Sequence, residues 1–396
     1  MALRKSRALW RFCVVAMVLA ALASSLCLPD LAAAGPFSSA PKPYLSCEAG
    51  ILIEWQTGTI LCDKNAFRRM YPASITKMMT ALLALENGRL DSEVEVSEDA
   101  ADQPGSSMNL RAGEVFTLED LLYGLMLNSG NDAAWAIAET IGGTAETFFE
   151  MMNERAREIG AINTRYQNPH GLTDPNHYTT AFDLSLIAKI CLRHPYFRNL
   201  VATKEKDVLD VSEETRIQLG NTNRLLWTYL GADGVKTGTT ESAGQCLVAS
   251  ATRNGMRLLA VVLNSADRWS DCGRLLDYGF SNYRVAEVAK AGETVVTLPG
   301  KGATQAAVPL VCADDLIGCL PRYSSGVWID LEVPDFIEAP CPGGTPLGRV
   351  LLKLGEDVVG RTDLVAGQWV NKRTPVGDLV RALSSLARRL ALLGIQ

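Results

Sequence analysis

The chain has 396 residues, 47% of them hydrophobic and 21% charged, and these ordinary proportions exclude a disordered or collagen-like protein. The formal net charge is −6, but the first 34 residues hold four of the 38 basic and one of the 44 acidic side chains, so the remainder carries −9. Such an acidic body argues against a nucleic-acid partner, and the length allows a core divided over two domains.

The N-terminus has the pattern of an export signal. It begins with four basic side chains, Arg4, Lys5, Arg7 and Arg11. An apolar run over 14–23 follows, and three alanines at 32–34 precede Gly35. We therefore predict a cleaved signal peptide over 1–34 and an exported protein. An uncleaved anchor is the alternative, although the apolar run is well short of the roughly 20 residues that span a bilayer.

Eight cysteines remain after the signal, an even number that permits disulfides in an exported protein, although a domain of this size does not require them. Cys246 lies in an apolar run and is predicted to be a small core residue. The chain has no C-x-x-C pair, which argues against a zinc ribbon or a thioredoxin-type site.

The first predicted element is a hairpin, with strands at 51–55 and 59–62 around a Gln-Thr-Gly turn. From about 74 to 195 the apolar residues recur mostly with helical period. Thr117 and Thr144 are the expected N-caps in this region, and Gly142 and Gly143 are the expected stop.

Strands return at 245–252 and 256–264, joined across Asn254-Gly255, a strong hairpin signal. Strands on both sides of a helical region predict an α/β (α+β) fold. In it, one antiparallel sheet is flanked by helices and carries a helical insertion. We assign this domain to 35–285.

A second, smaller β-rich domain is predicted over 286–374, where short β runs alternate with Gly and Pro. The tail, 375–396, has helical period. One face of this helix carries five leucines, Leu379, Leu383, Leu386, Leu390 and Leu393. Because arginines line the remaining faces, we predict a helix that lies on a membrane surface; a helix docked on its own domain is the alternative.

Three short motifs carry the chemistry, and the first is Ser74-Ile-Thr-Lys77. Ser74 follows Pro72-Ala73 and opens an apolar-periodic stretch, which places it at a helix N-terminus, where unpaired N–H groups favour developing negative charge. Lys77 is one turn further on, on the same face. Lysine acts as a base only if its pKa falls, and burial and a second cation both lower that pKa.

The second motif is Ser129-Gly-Asn131, at the break between two predicted helices. There the hydroxyl can relay a proton to a leaving amine and the amide can hold a peptide carbonyl. The third, Lys236-Thr237-Gly238, opens an extended segment to which a peptide can add as a strand. In this motif Gly238 allows close backbone approach, Lys236 and Thr237 can hold a carboxylate, and Lys236 can be the second cation near Lys77.

Singly, each motif has an ordinary structural interpretation: an N-cap, a polar loop or a surface strand. Together they resemble the serine-type D-Ala-D-Ala carboxypeptidases, the low-molecular-mass penicillin-binding proteins, of sporulation or vegetative type. The wider similar strings are 71–80, 126–133, 168–172 and 234–239. The resemblance is strong over about 42–285 and looser in the C-terminal half, and it implies that the sheet with its helices is of the β-lactamase/transpeptidase-like kind.

The resemblance implies removal of the terminal D-alanine from peptidoglycan pentapeptide stems through an acyl-enzyme, without metal or cofactor, with β-lactams as covalent inhibitors. It makes Ser74 the nucleophile, Lys77 its base and Ser129 the proton relay. The substrate-binding residues it implies are Asn131, Lys236, Thr237, Gly238 and Arg268. Thr239 stands where some members have histidine. The expected location is the outer face of the cytoplasmic membrane or the cell wall.

Three alternatives stay open. A class A β-lactamase needs a glutamate some 35 residues beyond the second motif, and 164–169 contains no acid. A zinc peptidase would use His170, Asp174 and His177, which are closely spaced but have no partner motif. A non-catalytic penicillin-binding scaffold would be acylated and never turn over.

Overall fold

The computed structural model describes residues 41–212, 214–377 and 383–385. The predicted signal peptide and most of the predicted tail helix lie outside these residues. The chain separates into two compact units, with the division between Tyr283 and Arg284.

The first unit is built on a five-stranded antiparallel sheet. Its strands are β1 (Ala49–Glu54), β2 (Ile60–Lys64), β7 (Ala232–Thr240), β8 (Gly244–Arg253) and β9 (Met256–Ser265). Their order across the sheet is β2-β1-β9-β8-β7. The first unit also contains two small antiparallel pairs of strands. They are β3 (Glu93–Glu95) with β4 (Val115–Thr117), and β5 (Glu205–Leu209) with β6 (Arg216–Gly220). In the five-stranded sheet β7 is an edge strand, so among the described residues no strand pairs with its outer side.

Helices fill the long connection between β2 and β7 and follow β9. They are α1 (Lys77–Asn87), α2 (Glu98–Ala101), α3 (Leu118–Tyr123), α4 (Asn131–Gly142), α5 (Ala145–Ile159), α6 (Ala181–Cys191), α7 (Pro195–Ala202), α8 (Leu225–Thr228) and α9 (Arg268–Asn282). The N-cap predictions are confirmed, because the Thr117 side chain accepts from the Asp120 N–H and the Thr144 side chain accepts from the Thr147 N–H. Gly143 ends α4, as predicted.

Both predicted hairpins of the large sheet are confirmed. Asn254 and Gly255 have φ of 50° and 78°, the left-handed geometry that a two-residue turn between β8 and β9 requires. The predicted helical region also holds the β3–β4 hairpin, which the periodicity did not reveal. In this hairpin Val94 and Phe116 face the core while their neighbours are exposed or half-buried, and so short an alternation is hard to distinguish from loop sequence.

The core of the first unit joins one face of the sheet to α1, α4 and α6. Sheet residues such as Ile51 and Val261 belong to one buried cluster with Met78, Ile137 and Leu184. Burial on both sides of α1 explains its nearly continuous apolar sequence. Packing against this core fixes the N-terminal end of α1 beside the edge strand β7.

The second unit is all β in its described residues up to 374. Its strands are β10 (Tyr283–Ala289), β11 (Thr294–Lys301), β12 (Ala307–Cys312), β13 (Leu316–Pro321), β14 (Val327–Glu332), β15 (Ile337–Glu338), β16 (Pro346–Leu354) and β17 (Asp357–Ala366). Six of them form a sheet in the order β14-β16-β17-β12-β11-β15, and β10 pairs with β13. Val308, Leu310, Val350, Leu352 and Leu364 centre its core.

All eight cysteines outside the predicted signal are buried, and Cys246 is a core residue as predicted. Across the described ranges, no helix combines the length and the hydropathy needed to cross a bilayer.

Candidate active site

The first motif lies where the chain enters α1. A 3-10 turn, Ala73–Thr76, precedes the helix, so Ser74 lies one residue inside this tighter turn and not at the cap of a regular α-helix. The turn brings Ser74 Oγ to 3.2 Å from Lys77 Nζ. Ser74 is half-buried whereas Lys77 is fully buried, so the hydroxyl is the accessible member of the pair.

Two further acceptors hold the Lys77 amine. Its Nζ donates to Asn131 Oδ1 at 2.6 Å and to the backbone carbonyl of His170 at 3.0 Å. Burial lowers the pKa of Lys77 well below its ordinary value, and the positive charge of Lys236 lowers it further, while Asp132 opposes the shift. An amine with this environment can accept a proton from the neighbouring hydroxyl.

Lys236, on β7, is also fully buried and donates to the carbonyl of Thr237 at 3.2 Å. Burial and the nearby Arg268 guanidinium lower the pKa of Lys236 to about 7. The structure thus brings the first and third motifs together, as the sequence analysis expected, and two lysines share one desolvated site.

The second motif follows a π-helical turn, Gly124–Asn128, that ends the helix begun by α3. Ser129 has a left-handed backbone with φ of 64° and only 5% of its surface exposed. Within the described part of the chain its hydroxyl has no hydrogen-bond partner. A buried hydroxyl without a hydrogen-bond partner raises the free energy of the protein when no substrate is bound. Such a hydroxyl is suited to form a hydrogen bond with a bound substrate.

Gly238 packs against the turn that carries Ser74. A Cβ at Gly238 would lie 2.9 Å from the Pro72 carbonyl oxygen and 3.1 Å from both Ala73 Cβ and the Ser74 nitrogen. The sequence analysis expected this glycine to admit a substrate backbone. In the structure the backbone that approaches it is the chain's own, so Gly238 fixes the distance between β7 and Ser74.

Arg268, the first residue of α9, reaches the end of β7. One guanidinium nitrogen donates to the Gly238 carbonyl at 2.9 Å, to Thr239 Oγ1 at 2.8 Å and to the Cys246 carbonyl at 3.3 Å. The arginine therefore lies beside the third motif and ties Thr239 to the strand end.

One part of the site was missed by the sequence analysis: the segment 102–108, which follows α2. The Asn131 side-chain amide donates to the Pro104 carbonyl at 2.5 Å, and its backbone N–H donates to the Ser106 carbonyl at 2.7 Å. The Asp132 carboxylate accepts from Ser107 Oγ and from the Met108 N–H. These bonds hold the segment over Asn131.

Gln103 and His170 complete a ring of contacts. The ring runs from Lys77 through Asn131 to the 102–108 segment, and from Gln103 in that segment through His170 back to Lys77. Gln103 Oε1 lies 3.1 Å from His170 Nε2, and His170 Nδ1 accepts from the Leu172 N–H, so Nε2 carries the proton and donates to Gln103. Burial, with Lys77 nearby, lowers the pKa of His170 to about 3 and keeps the ring neutral. The sequence analysis quoted the 168–172 string and named His170 in the zinc alternative, but it gave no signal at Gln103.

His177, the other histidine of the zinc alternative, is equally occupied. Its Nε2 lies 2.8 Å from Thr76 Oγ1, and its Nδ1 accepts from the Gln167 N–H at 3.2 Å. His170 and His177 therefore tie the 168–177 segment to its neighbours through their ring nitrogens.

Comparison with known proteins gives one consistent result. A family model described as D-alanyl-D-alanine carboxypeptidase matches residues 37–267, and one described as the penicillin-binding protein 5 C-terminal domain matches 283–372. The chain is 36% identical over 347 residues to D-alanyl-D-alanine carboxypeptidase DacF of Bacillus subtilis, covering 85% of this chain and 89% of that protein.

Solved structures agree. Penicillin-binding protein 5 of Haemophilus influenzae superimposes with a TM-score of 0.76 at 31% identity, covering 84% of this chain and all of that one. The Streptomyces K15 DD-transpeptidase superimposes with a TM-score of 0.59 at 35% identity, covering 61% of this chain and all of that one. The likeness to the first of these structures therefore extends over most of the chain.

Proposed function

Because this chain belongs to the D-alanyl-D-alanine carboxypeptidase family, we propose that it removes the terminal D-alanine from peptidoglycan pentapeptide stems through an acyl-enzyme on Ser74. The observation that carries the assignment of the nucleophile is the 3.2 Å contact between Ser74 Oγ and a fully buried lysine amine. Penicillins and other β-lactams are the expected covalent inhibitors, since they acylate the same hydroxyl.

In the first step, Ser74 Oγ attacks the carbonyl carbon of the penultimate D-alanine and Lys77 Nζ takes the hydroxyl proton. A low pKa of Lys77 supports this role, because the base must be neutral before attack. Collapse of the tetrahedral intermediate breaks the peptide bond; Ser129 gives its proton to the departing amine of D-alanine and is reprotonated by Lys77, which becomes neutral again. In the second step water attacks the ester carbonyl, Lys77 accepts a proton from that water, and the same proton goes to Ser74 Oγ as the ester bond breaks.

The third motif, Lys236-Thr237-Gly238, and the residues near it are assigned to substrate binding. The free side of β7 can pair with an extended peptide, and the charge of Lys236 with the hydroxyl of Thr237 suits a terminal carboxylate. Asn131 is held by Lys77 and Pro104 and is assigned to the peptide carbonyl. Gly238 sets the spacing, and Arg268 adds positive charge at the strand end.

Export and membrane attachment belong to the same proposal. We assign 1–34 to a signal peptide, 35–285 to the catalytic domain, 286–374 to the β-rich domain and 375–396 to a helix that holds the protein on the outer face of the membrane. The leucine face and the arginines of that tail support this assignment. Removal of 377–396 should release the protein from anionic liposomes without changing turnover of a soluble peptide; continued sedimentation, or unfolding, would contradict it.

The decisive experiment measures D-alanine released from a pentapeptide over many turnovers, together with the intact mass after benzylpenicillin. An enzyme releases many equivalents and gains one adduct, mapped to the Ser74 peptide. A non-catalytic scaffold would release at most one equivalent, and an adduct elsewhere would exclude Ser74 as the nucleophile.

A further inference from the structure

Thr222, which belongs to none of the three motifs, joins two of them. Its backbone N–H donates to the Leu127 carbonyl at 3.2 Å, two residues before Ser129. Its hydroxyl oxygen lies 2.7 Å from Thr237 Oγ1, and its side chain is exposed whereas Thr237 is 94% covered. An exposed residue thus makes a short polar contact with a buried residue of the candidate site.

The backbone around Thr222 is fixed by its neighbours. The Asn221 side-chain amide donates to the Thr203 carbonyl at 2.8 Å, and its oxygen accepts from the Asn223 N–H at 2.9 Å. Both asparagines are buried. The Thr222 hydroxyl is therefore presented from a held segment and not from a free loop.

When an anion binds to Thr237, it determines which of the two hydroxyls donates in this contact, because each hydroxyl has only one proton. In the described structure each of the two hydroxyls has the other as its only hydrogen-bond partner. A carboxylate accepts and cannot donate, so Thr237 must turn its single proton toward it. Thr237 Oγ1 is then free to accept, and the proton of Thr222 lies within reach. Each bond in such a chain polarises the next, and a charged acceptor strengthens the whole.

We infer that Thr222 is a positioning residue that orients the Thr237 hydroxyl as a donor to the terminal carboxylate of the substrate, and so contributes to specificity for carboxylate-ended peptides. The inference rests on the proposed function, since it requires Thr237 to meet that carboxylate. It assigns Thr222 no contact with the reacting atoms.

The test compares benzylpenicillin with its methyl ester, which present the same reactive ring with and without the carboxylate. Thr222→Val keeps the shape of the side chain and removes the hydroxyl, and Thr222→Ser keeps the hydroxyl. Thr228→Val, at another exposed threonine six residues further on, is the matched control. Second-order acylation rates are read from intact mass, and melting temperatures check the fold.

We expect Thr222→Val to slow acylation by benzylpenicillin about fivefold to tenfold, the size of one net hydrogen bond, and to change the ester rate less than twofold. Thr222→Ser should recover most of the loss, and Thr228→Val should behave as the unmodified protein. In a Thr237→Val background, Thr222→Val should add nothing, because the group it orients is gone.

Equal effects on both compounds, no recovery in Thr222→Ser, or full additivity with Thr237→Val would overturn the inference. If Thr222→Val fails to fold, Thr222→Ala carries the same expectation. Failure of the proposed function gives a different result, since the unmodified protein would then form no adduct, or would show no preference for the carboxylate compound.

Discussion

Gly238→Ala is the sharpest perturbation of the site, because it adds a single methyl group where two segments meet. The new Cβ would lie 2.9 Å from the Pro72 carbonyl oxygen and 3.1 Å from the Ser74 nitrogen. Ordinary contacts begin near 3.4 Å. One segment must therefore move by about 0.3–0.5 Å, and the turn that carries Ser74 is the one in contact.

The cost follows from the sensitivity of catalysis to geometry. A misplacement of about 1 Å can reduce a rate by roughly a hundredfold, so the expected movement of about 0.3–0.5 Å should slow acylation by about tenfold. Overpacking should also lower the free energy of unfolding by about 1–3 kcal/mol. The Lys77 to Ser74 contact lengthens in this account while the identity of every reacting group is unchanged.

The assay is the second-order rate of acylation by benzylpenicillin, with thermal unfolding measured in parallel. Gly273→Ala is the matched control, because Gly273 lies within α9 and a Cβ there meets nothing within 4 Å. It should leave acylation unchanged and raise stability slightly, since alanine is the better helix former. Acylation by Gly238→Ala at the unmodified rate would refute the argument that Gly238 sets the position of Ser74.

The other expectations concern the proton path. Ser74→Ala should abolish the penicillin adduct, and Lys77→Met should slow acylation by about 10²–10⁴-fold with the fold intact by circular dichroism; near-normal rates would move the base elsewhere. The rate of acylation should rise with pH as Lys77 deprotonates. Because the charge of Lys236 lowers the pKa of Lys77, Lys236→Met should move this rise to higher pH. A pH profile that does not move would contradict the electrostatic effect of Lys236 on Lys77. Gln103→Met removes the acceptor of His170 Nε2, and we expect a severalfold lower acylation rate with little change in the preference for carboxylate substrates. Gln218→Met, at an exposed glutamine, is the control. An unchanged rate in Gln103→Met would show that the ring of contacts does not contribute to acylation.

The sequence was most informative where a feature depends on neighbours along the chain. Asn254-Gly255 specified its hairpin because few residues adopt two successive positive φ angles, and Thr117 and Thr144 specified helix starts because a hydroxyl can accept from an N–H three residues on. The Ser74 to Lys77 spacing likewise placed the two side chains one turn apart. The helix start expected at Ser74 is a 3-10 turn, a distinction that apolar periodicity does not carry.

Tertiary structure alone decided which distant residues meet and how dry their surroundings are. Asn131 holds Lys77 across 54 positions, His170 holds it across 93, and Thr222 reaches Thr237 across 15. The burial that makes Lys77 a candidate base comes from the packed sheet and helices around it. Residue type and spacing determine what a side chain can do, whereas desolvation and hydrogen-bond partners depend on which segments pack together, and no local pattern encodes that choice.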